Sequence, residues 1–246
     1  MAAEAVTSFA ELPDATTEVT PDPLRVLVGV PSHGHCPIGF TTSLARAMTY
    51  FQSLPYGAEK TIDVFACQGS LLPDVRTRIV SKAFEMNATH LIWADSDMLF
   101  PPDAFPQLLN HNKPVVGVNY AQKTMEARPT AFVDGDEYTG PLWTKDETNG
   151  LVEVAHCGFG LMVNDMRIFE TIDLPYFVFE PAAPTNVIQM AEDVYFCRKL
   201  RQAGLKIYVD QTLSQNIGHI GEFVYTHDMA NAAKTIKLKQ YRDLPL

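Results

Sequence analysis

The chain has 246 residues, 46% of them apolar, and 29 Asp and Glu against 19 Lys and Arg give a formal net charge of -10. That length suits one large α/β domain, and the acidic balance argues against broad, sequence-independent binding of nucleic acid or anionic membrane, which needs a basic face. No stretch reaches the length of a membrane-spanning helix, the start lacks a basic-then-apolar signal pattern, and Cys36, Cys67, Cys157 and Cys197 form no CxxC pair, so a reducing, cytoplasmic setting is expected.

Residues 1–23, rich in Ala, Glu, Thr and Pro, are expected to form a mobile leader. Residues 25–31 read as a first strand, followed by a loop carrying Ser32, His33, Gly34 and His35. Thr41 or Thr42 is placed to cap a helix whose Leu44, Ala47, Met48 and Phe51 recur at helical spacing. Residues 61–66 predict a second strand. Asp74 is then expected to cap a helix that buries Val75, Ile79 and Ala83 and turns Arg76 elsewhere. Arg76 and Arg78 fall on or near the site side, where either guanidinium fork could reach a diphosphate or a base, two solvated helix arginines being the plain alternative.

The run His90-Leu91-Ile92-Trp93-Ala94 is mostly apolar and reads as a buried strand of a parallel sheet. The β-α-β-α-β order so far predicts a right-handed, Rossmann-like half. Asp95-Ser96-Asp97 closes this third strand, where open α/β sheets bind their ligands. In an extended segment Asp95 and Asp97 face the same way and converge on one cation, which offsets the cost of a partly dehydrated dicarboxylate. A capping Asp followed by a turn Asp is the plain alternative, and it is the better reading of any DxD that lacks such a strand.

A short helix follows Pro102 and a fourth strand spans 114–118. From 128 to 155 short apolar pieces broken by Asp-Gly, Thr-Gly and Asn-Gly predict hairpins. Residues 158–163 return to the sheet, 175–184 form a loop with aromatic edges, 191–203 form a helix ended by Gly204, and 206–209 make a last strand. Residues 222–246 are expected to form a tail helix packed over a single domain spanning 24–221.

Two further features stand out. Glu192 and Asp193 open a helix, where acidic residues complement the dipole and where a carboxylate facing a cleft can serve as general base. His219 lies between Gly218 and Ile220-Gly221, so the backbone is free to aim an imidazole inward as a metal ligand. GxxxxGK[ST] and GxGxxG are both missing after the first strand, which disfavours a P-loop or a dinucleotide site. His33-Gly34-His35-Cys36 could open the metal site of a barrel hydrolase, but that barrel needs eight βα units and roughly four are visible.

Taken in order, these segments resemble GT-A fold nucleotide-sugar-dependent glycosyltransferases of the compact soluble bacterial and phage type. The matching stretches are 26–31, 75–80, 88–98, 115–120, 157–163, Glu192-Asp193 and Gly218-His219. The resemblance implies an α/β fold with a mostly parallel sheet, helices on both faces and a small hairpin region. It implies that Asp97 ligates Mn2+ (or Mg2+) directly, that Asp95 is shared between metal and ribose beside Ser96, and that His219 completes the metal shell. Asp193, of the Glu192-Asp193 pair, corresponds to the carboxylate that deprotonates the acceptor in inverting members. Gly158, Phe159 and Gly160 resemble the backbone that lines the donor sugar and acceptor, Pro31, Ser32 and His33 the loop around the nucleotide, and Arg76 a nucleotide contact.

Two features depart from relatives. The QxxRW of processive synthases is missing, and the second strand ends in Ala66-Cys67-Gln68-Gly69-Ser70 instead of an Asp-Asp-Gly-Ser turn. The expected activity is transfer of a sugar from a UDP- or GDP-linked donor to an acceptor hydroxyl, on a small molecule, glycan or protein in preference to nucleic acid. The alternatives are a sugar-phosphate nucleotidyltransferase, for which His33-Gly34-His35 is a poor first loop, and a non-catalytic nucleotide-sugar-binding module. A basic groove including Lys234, Lys237, Lys239 and Arg242 would leave a nucleic-acid acceptor open.

Overall fold

In a computed structural model of the protein, residues 22–124, 127–135, 139–181 and 189–221 are described. The tail helix expected over 222–246, with its basic residues, and the leader up to residue 21 lie outside them.

The first half runs β1 (Leu24–Ser32), α1 (Ile38–Ser53), β2 (Lys60–Gln68), α2 (Leu72–Glu85), β3 (His90–Ala94), β4 (Met98–Leu99), α3 (Ala104–Asn110) and β5 (Val115–Gly117). The second runs β6 (Phe132–Asp134), β7 (Thr139–Pro141), β8 (Leu151–Val154), β9 (Leu161–Asp165), α4 (Ile168–Thr171), β10 (Glu180–Pro181), β11 (Gln189–Met190), α5 (Glu192–Gln202), β12 (Ile207–Asp210), α6 (Gln211–Ser214) and β13 (Gly218–His219). A seven-stranded sheet in the order β2-β1-β3-β9-β5-β12-β8 holds the molecule together. Strands β2, β1, β3, β5 and β12 run one way, and β9 and β8 run the other. The expected α/β fold with a mostly parallel central sheet is borne out.

Side-chain alternation explains why the central strands β1, β3, β5 and β9 are buried at nearly every position. Val26, Val28, Val30, Ile92 and Ala94 face a cluster with Phe40 and Ala47 of α1 and Phe105 and Leu108 of α3. Leu27, Leu91 and Trp93 face the opposite cluster, with Val75 and Ile79 of α2 and Phe196, Cys197 and Leu200 of α5. A sheet covered on both faces needs both sets. Cys67, Cys157 and Cys197 are buried free thiols and Cys36 is exposed.

Several local expectations are corrected. Helix α1 opens after Pro37, and the hydroxyls of Thr41 and Thr42 donate back to the carbonyls of Pro37 and Ile38, so neither residue caps it. Helix α2 starts at Leu72, with Pro73 in its first turn where a missing N–H costs nothing, and Asp74 lies inside that turn. Of the hairpins expected between 128 and 155, the described residues show β6 with β7, whereas β8 becomes an edge strand paired with β12. Helix α5 matches its expected span, with Gly204 just beyond it at φ 78°. Among the described residues no helix is long and apolar enough to cross a membrane.

Candidate active site

Strand β1 has β2 on one side and β3 on the other, so successive connections leave in opposite directions. The crevice outside the carboxyl ends at such a reversal is where open α/β sheets hold ligands. Here it is a cleft of about 140 Å³ lined by Pro31, Ser32, His33, Gly69, Leu72, Val75, Asp95, Ser96 and Asp97. It is smaller than the roughly 300–1,000 Å³ of a complete small-molecule site, so it fits one part of a ligand. Larger clefts exist among the described residues, including one of about 410 Å³ on the outer side of α1 beside Arg46 and Tyr50. One of about 710 Å³ lies at the amino ends of β1 and β3, and one of about 280 Å³ lies beside Tyr120 and Trp143. Neither of these two includes Asp95 or Asp97 in its wall, and the 140 Å³ cleft is the one at the carboxyl ends of the strands.

The Asp95-Ser96-Asp97 segment is a tight turn and not an extended continuation of β3. The Met98 N–H returns to the Asp95 carbonyl at 3.1 Å, and the Asp95 N–H donates to the Gly160 carbonyl at 3.0 Å. The turn sends the two carboxylates to different partners. Asp95 accepts from Arg76 Nη2 at 3.1 Å, while Asp97 pairs through Oδ2 with Lys123 and faces His219 Nε2 through Oδ1 at 3.5 Å. At that separation the imidazole closes no hydrogen bond, and Oδ1 is a buried oxygen without a partner. Burial alone would raise the Asp97 carboxyl, but His219 and Lys123 outweigh it and hold it below the usual range.

A two-stranded ribbon brings His219 here. Strand β13 pairs antiparallel with β4, Gly218 opposite Leu99 and His219 opposite Met98, and the Ile220 N–H donates to the Asp97 carbonyl at 2.8 Å. The other ring nitrogen, Nδ1, donates to the Ala121 carbonyl at 2.8 Å, which leaves Nε2 toward Asp97. The Tyr120 ring packs edge-on against the imidazole at 5.1 Å between centroids.

Arg76 does not turn away from the core as its place in the sequence implied. It is 1% exposed, with Nε 3.1 Å from Glu192 Oε1 and Nη2 3.1 Å from Asp95 Oδ1, and its guanidinium lies 4.4 Å from the Phe159 centroid and 5.3 Å from that of Trp93. The two carboxylates and two aromatic faces replace water for a charge that would otherwise be too costly to bury. Burial lowers the Arg76 pKa, but the nearby carboxylates more than offset that and keep it charged. Arg78 remains outside, on Asp74 at 3.0 Å and the Gln68 carbonyl at 3.0 Å.

Glu192 is thus a buried partner of Arg76, while Asp193 lies at the start of α5 with Oδ1 accepting from the Val194 N–H at 2.7 Å. Burial raises the Asp193 carboxyl above the ordinary range, with Val194 and Arg76 pulling it down and Asp95 adding to the rise. Burial likewise raises Glu192, against the pull of Arg76. The Gly158–Gly160 segment passes close to Tyr120. A Cβ on Gly158 would stand 2.2 Å from the Tyr120 hydroxyl and one on Gly160 2.7 Å from its ring, and the Gly160 N–H donates to that hydroxyl at 3.0 Å. Phe159 is buried against Trp93, Phe177 and Phe196.

The donors suit a hard divalent cation that keeps open positions. Asp97 Oδ1 and His219 Nε2 face each other, and Asp95 lines the same cleft. Among the described residues no group of three or more His, Cys, Asp or Glu is placed to hold a metal ion, so Asp95, Asp97 and His219 do not together form the expected three-residue shell. Mg2+-type sites typically use one or two carboxylates plus substrate phosphates, so an incomplete protein shell fits such a cation. Lys123 escaped the sequence reading, and Tyr120 entered it only as the end of the 115–120 stretch, with no role given to either. The signal available was their position directly after β5, in Tyr120-Ala121-Gln122-Lys123, at the carboxyl end of a strand.

No family model matches the chain, and no curated protein matches it. Among solved structures, A197 from STIV superposes with a TM-score of 0.53 at 19% identity, over 81% of this chain and 87% of that one. The catalytic domain of Drosophila beta1,4galactosyltransferase 7, in complex with xylobiose, gives a TM-score of 0.45 at 11% identity, over 88% of this chain and 82% of that one. The first likeness is one of fold.

Proposed function

We propose that the protein is a metal-dependent glycosyltransferase of GT-A type that moves a sugar from a nucleotide-diphosphate donor to an acceptor hydroxyl. The observation that carries the reading is the buried, unpartnered Asp97 Oδ1 facing His219 across the β4–β13 ribbon, at the carboxyl ends of β1 and β3. Lys123 already pairs with Oδ2, but the buried Oδ1 has no hydrogen bond, and a cation between it and His219 would give that oxygen a partner.

In this reading Asp97 and His219 hold Mn2+ or Mg2+, with Asp95 beside them, and Pro31, Ser32, His33 and Ser96 line the nucleotide side of the cleft. The cation's contribution is to neutralise charge on the departing diphosphate. Asp193 accepts the acceptor's hydroxyl proton as that oxygen bonds to the anomeric carbon, while the bond to the diphosphate breaks and its electron pair leaves with the phosphate oxygen. A carboxyl raised by burial is a stronger base than an ordinary Asp, which suits it to this step. If the configuration is retained, Asp193 orients the acceptor instead. Arg76 ties the Asp95 turn to the start of α5 through Glu192, so the donor and acceptor sides keep a fixed spacing. The proposed compartment is the cytoplasm, in keeping with the buried free thiols.

Thermal-shift measurements with UDP, GDP and their sugar conjugates, each with Mn2+ and with EDTA, test the reading. Stabilisation by one nucleotide only when Mn2+ is present is expected. Stabilisation that EDTA leaves intact contradicts the metal-bridged site.

A further inference from the structure

Lys123 belongs to no motif, yet its Nζ is on Asp97 Oδ2 while His219 faces Oδ1. The carboxylate is therefore approached by a fixed imidazole on one side and by an ammonium on the other. The two approaches differ in rigidity. His219 is held by the Ala121 carbonyl and by the β4–β13 pairing, whereas the Lys123 side chain is 38% exposed and sits on a four-carbon stem. That stem runs beside Gly221, its Cγ and Cδ 3.8 Å from where a Cβ there would stand, which is ordinary contact distance and does not clamp it.

A divalent cation arriving between Oδ1 and His219 stands a few ångströms from this ammonium, and like charges sharing one carboxylate repel. The mobile one yields. The anion that accompanies the cation in the proposed reaction is a diphosphate, and a displaced ammonium beside it has a new partner within reach of its stem. We infer that Lys123 and the divalent cation compete for Asp97, and that Lys123, once displaced, becomes a ligand of the donor's diphosphate. This rests on the metal reading above and adds a specific donor-binding residue to it.

The test uses the full chain as parent, Lys123→Gln and Lys123→Arg, with melting curves to confirm that each is folded. In calorimetric titration with MnCl2 alone, Lys123→Gln is expected to bind Mn2+ about fivefold more tightly than the parent, the scale of one partly exposed ion pair. Lys123→Arg, which keeps a cation, is expected to stay near the parent. Titration of the Mn2+-saturated proteins with UDP and GDP should then show Lys123→Gln binding the preferred nucleotide about fivefold more weakly. Unchanged or weaker Mn2+ binding by Lys123→Gln, or undiminished nucleotide binding, overturns the inference while leaving the metal site standing. A parent chain that binds no Mn2+, with or without nucleotide, removes the metal reading and the competition together.

Discussion

His219 Nε2 stands 3.5 Å from Asp97 Oδ1, brought there by a two-residue pairing between β4, which directly follows the aspartate turn, and β13. The relationship fixes an imidazole and a carboxylate from opposite parts of the chain on one point in space. His219→Ala is accordingly expected to weaken Mn2+ binding by tenfold or more, the scale for losing an oriented group at a metal site. Melting temperature should change little, because the side chain is replaced while the β4–β13 backbone pairing is kept. Mn2+ titration followed by calorimetry, beside a melting curve, checks both halves.

Asp193 provides a test in which activity and stability move in opposite directions. Its carboxyl is raised by burial, so the folded state favours the neutral form. That contribution to stability is fully present below the unfolded-state pKa and is lost as pH rises through the raised folded-state value. At neutral pH the charged form therefore costs stability, and Asp193→Asn should melt no lower than the parent. The same change removes the base, and a loss of roughly 100- to 10,000-fold in kcat is expected. In the parent, activity should fall as pH drops through a value above the ordinary Asp range, since a protonated Asp193 cannot accept a proton. A pH–rate profile locates that limb.

Arg76 is a stability determinant first. Arg76→Met leaves Asp95 and Glu192 without the charge that compensates them, and a loss of about 3–5 kcal/mol is expected from breaking a buried network on one side. Arg76→Lys should not restore it, because an ammonium cannot span both carboxylates as the planar fork does. Urea unfolding of the three proteins measures the difference.

Gly160→Ala probes the contact between the glycine segment and Tyr120. The added methyl meets the Tyr120 ring at 2.7 Å and Met98 Sδ at 2.8 Å, and Tyr120 is itself packed on His219. A cost of about 1–3 kcal/mol is expected from overpacking, together with weaker Mn2+ binding as the imidazole shifts. Unfolding and Mn2+ titration on the one variant separate the two effects.

How much of this was legible in the sequence depends on the range of each interaction. The strands of the first half were readable because a sheet buried on both faces writes itself as continuous apolar runs, as in Val26 to Val30 and Leu91 to Ala94. The aspartate turn was found because it ends such a run, although its conformation was not. The turn is anchored by the Gly160 carbonyl, from the segment just before β9, which no local pattern encodes. Arg76 was read as turned outward because burying a guanidinium requires partners. Those partners are Asp95, 19 positions away, and Glu192, 116 positions away. Lys123 was missed for a similar reason, since nothing near it announces that a turn 26 positions earlier faces it. Strand β8 looked like part of a hairpin because Gly150 and its neighbours form a turn, yet its pairing partner is β12.

The account stands on a divalent cation at Asp97, and Asp97→Asn tests that most directly. Calorimetric titration of the parent with Mn2+ and the preferred nucleoside diphosphate should show mutually dependent binding, and Asp97→Asn should lose it while remaining folded. Equal nucleotide affinity in parent and variant, unaffected by EDTA, would contradict the claim.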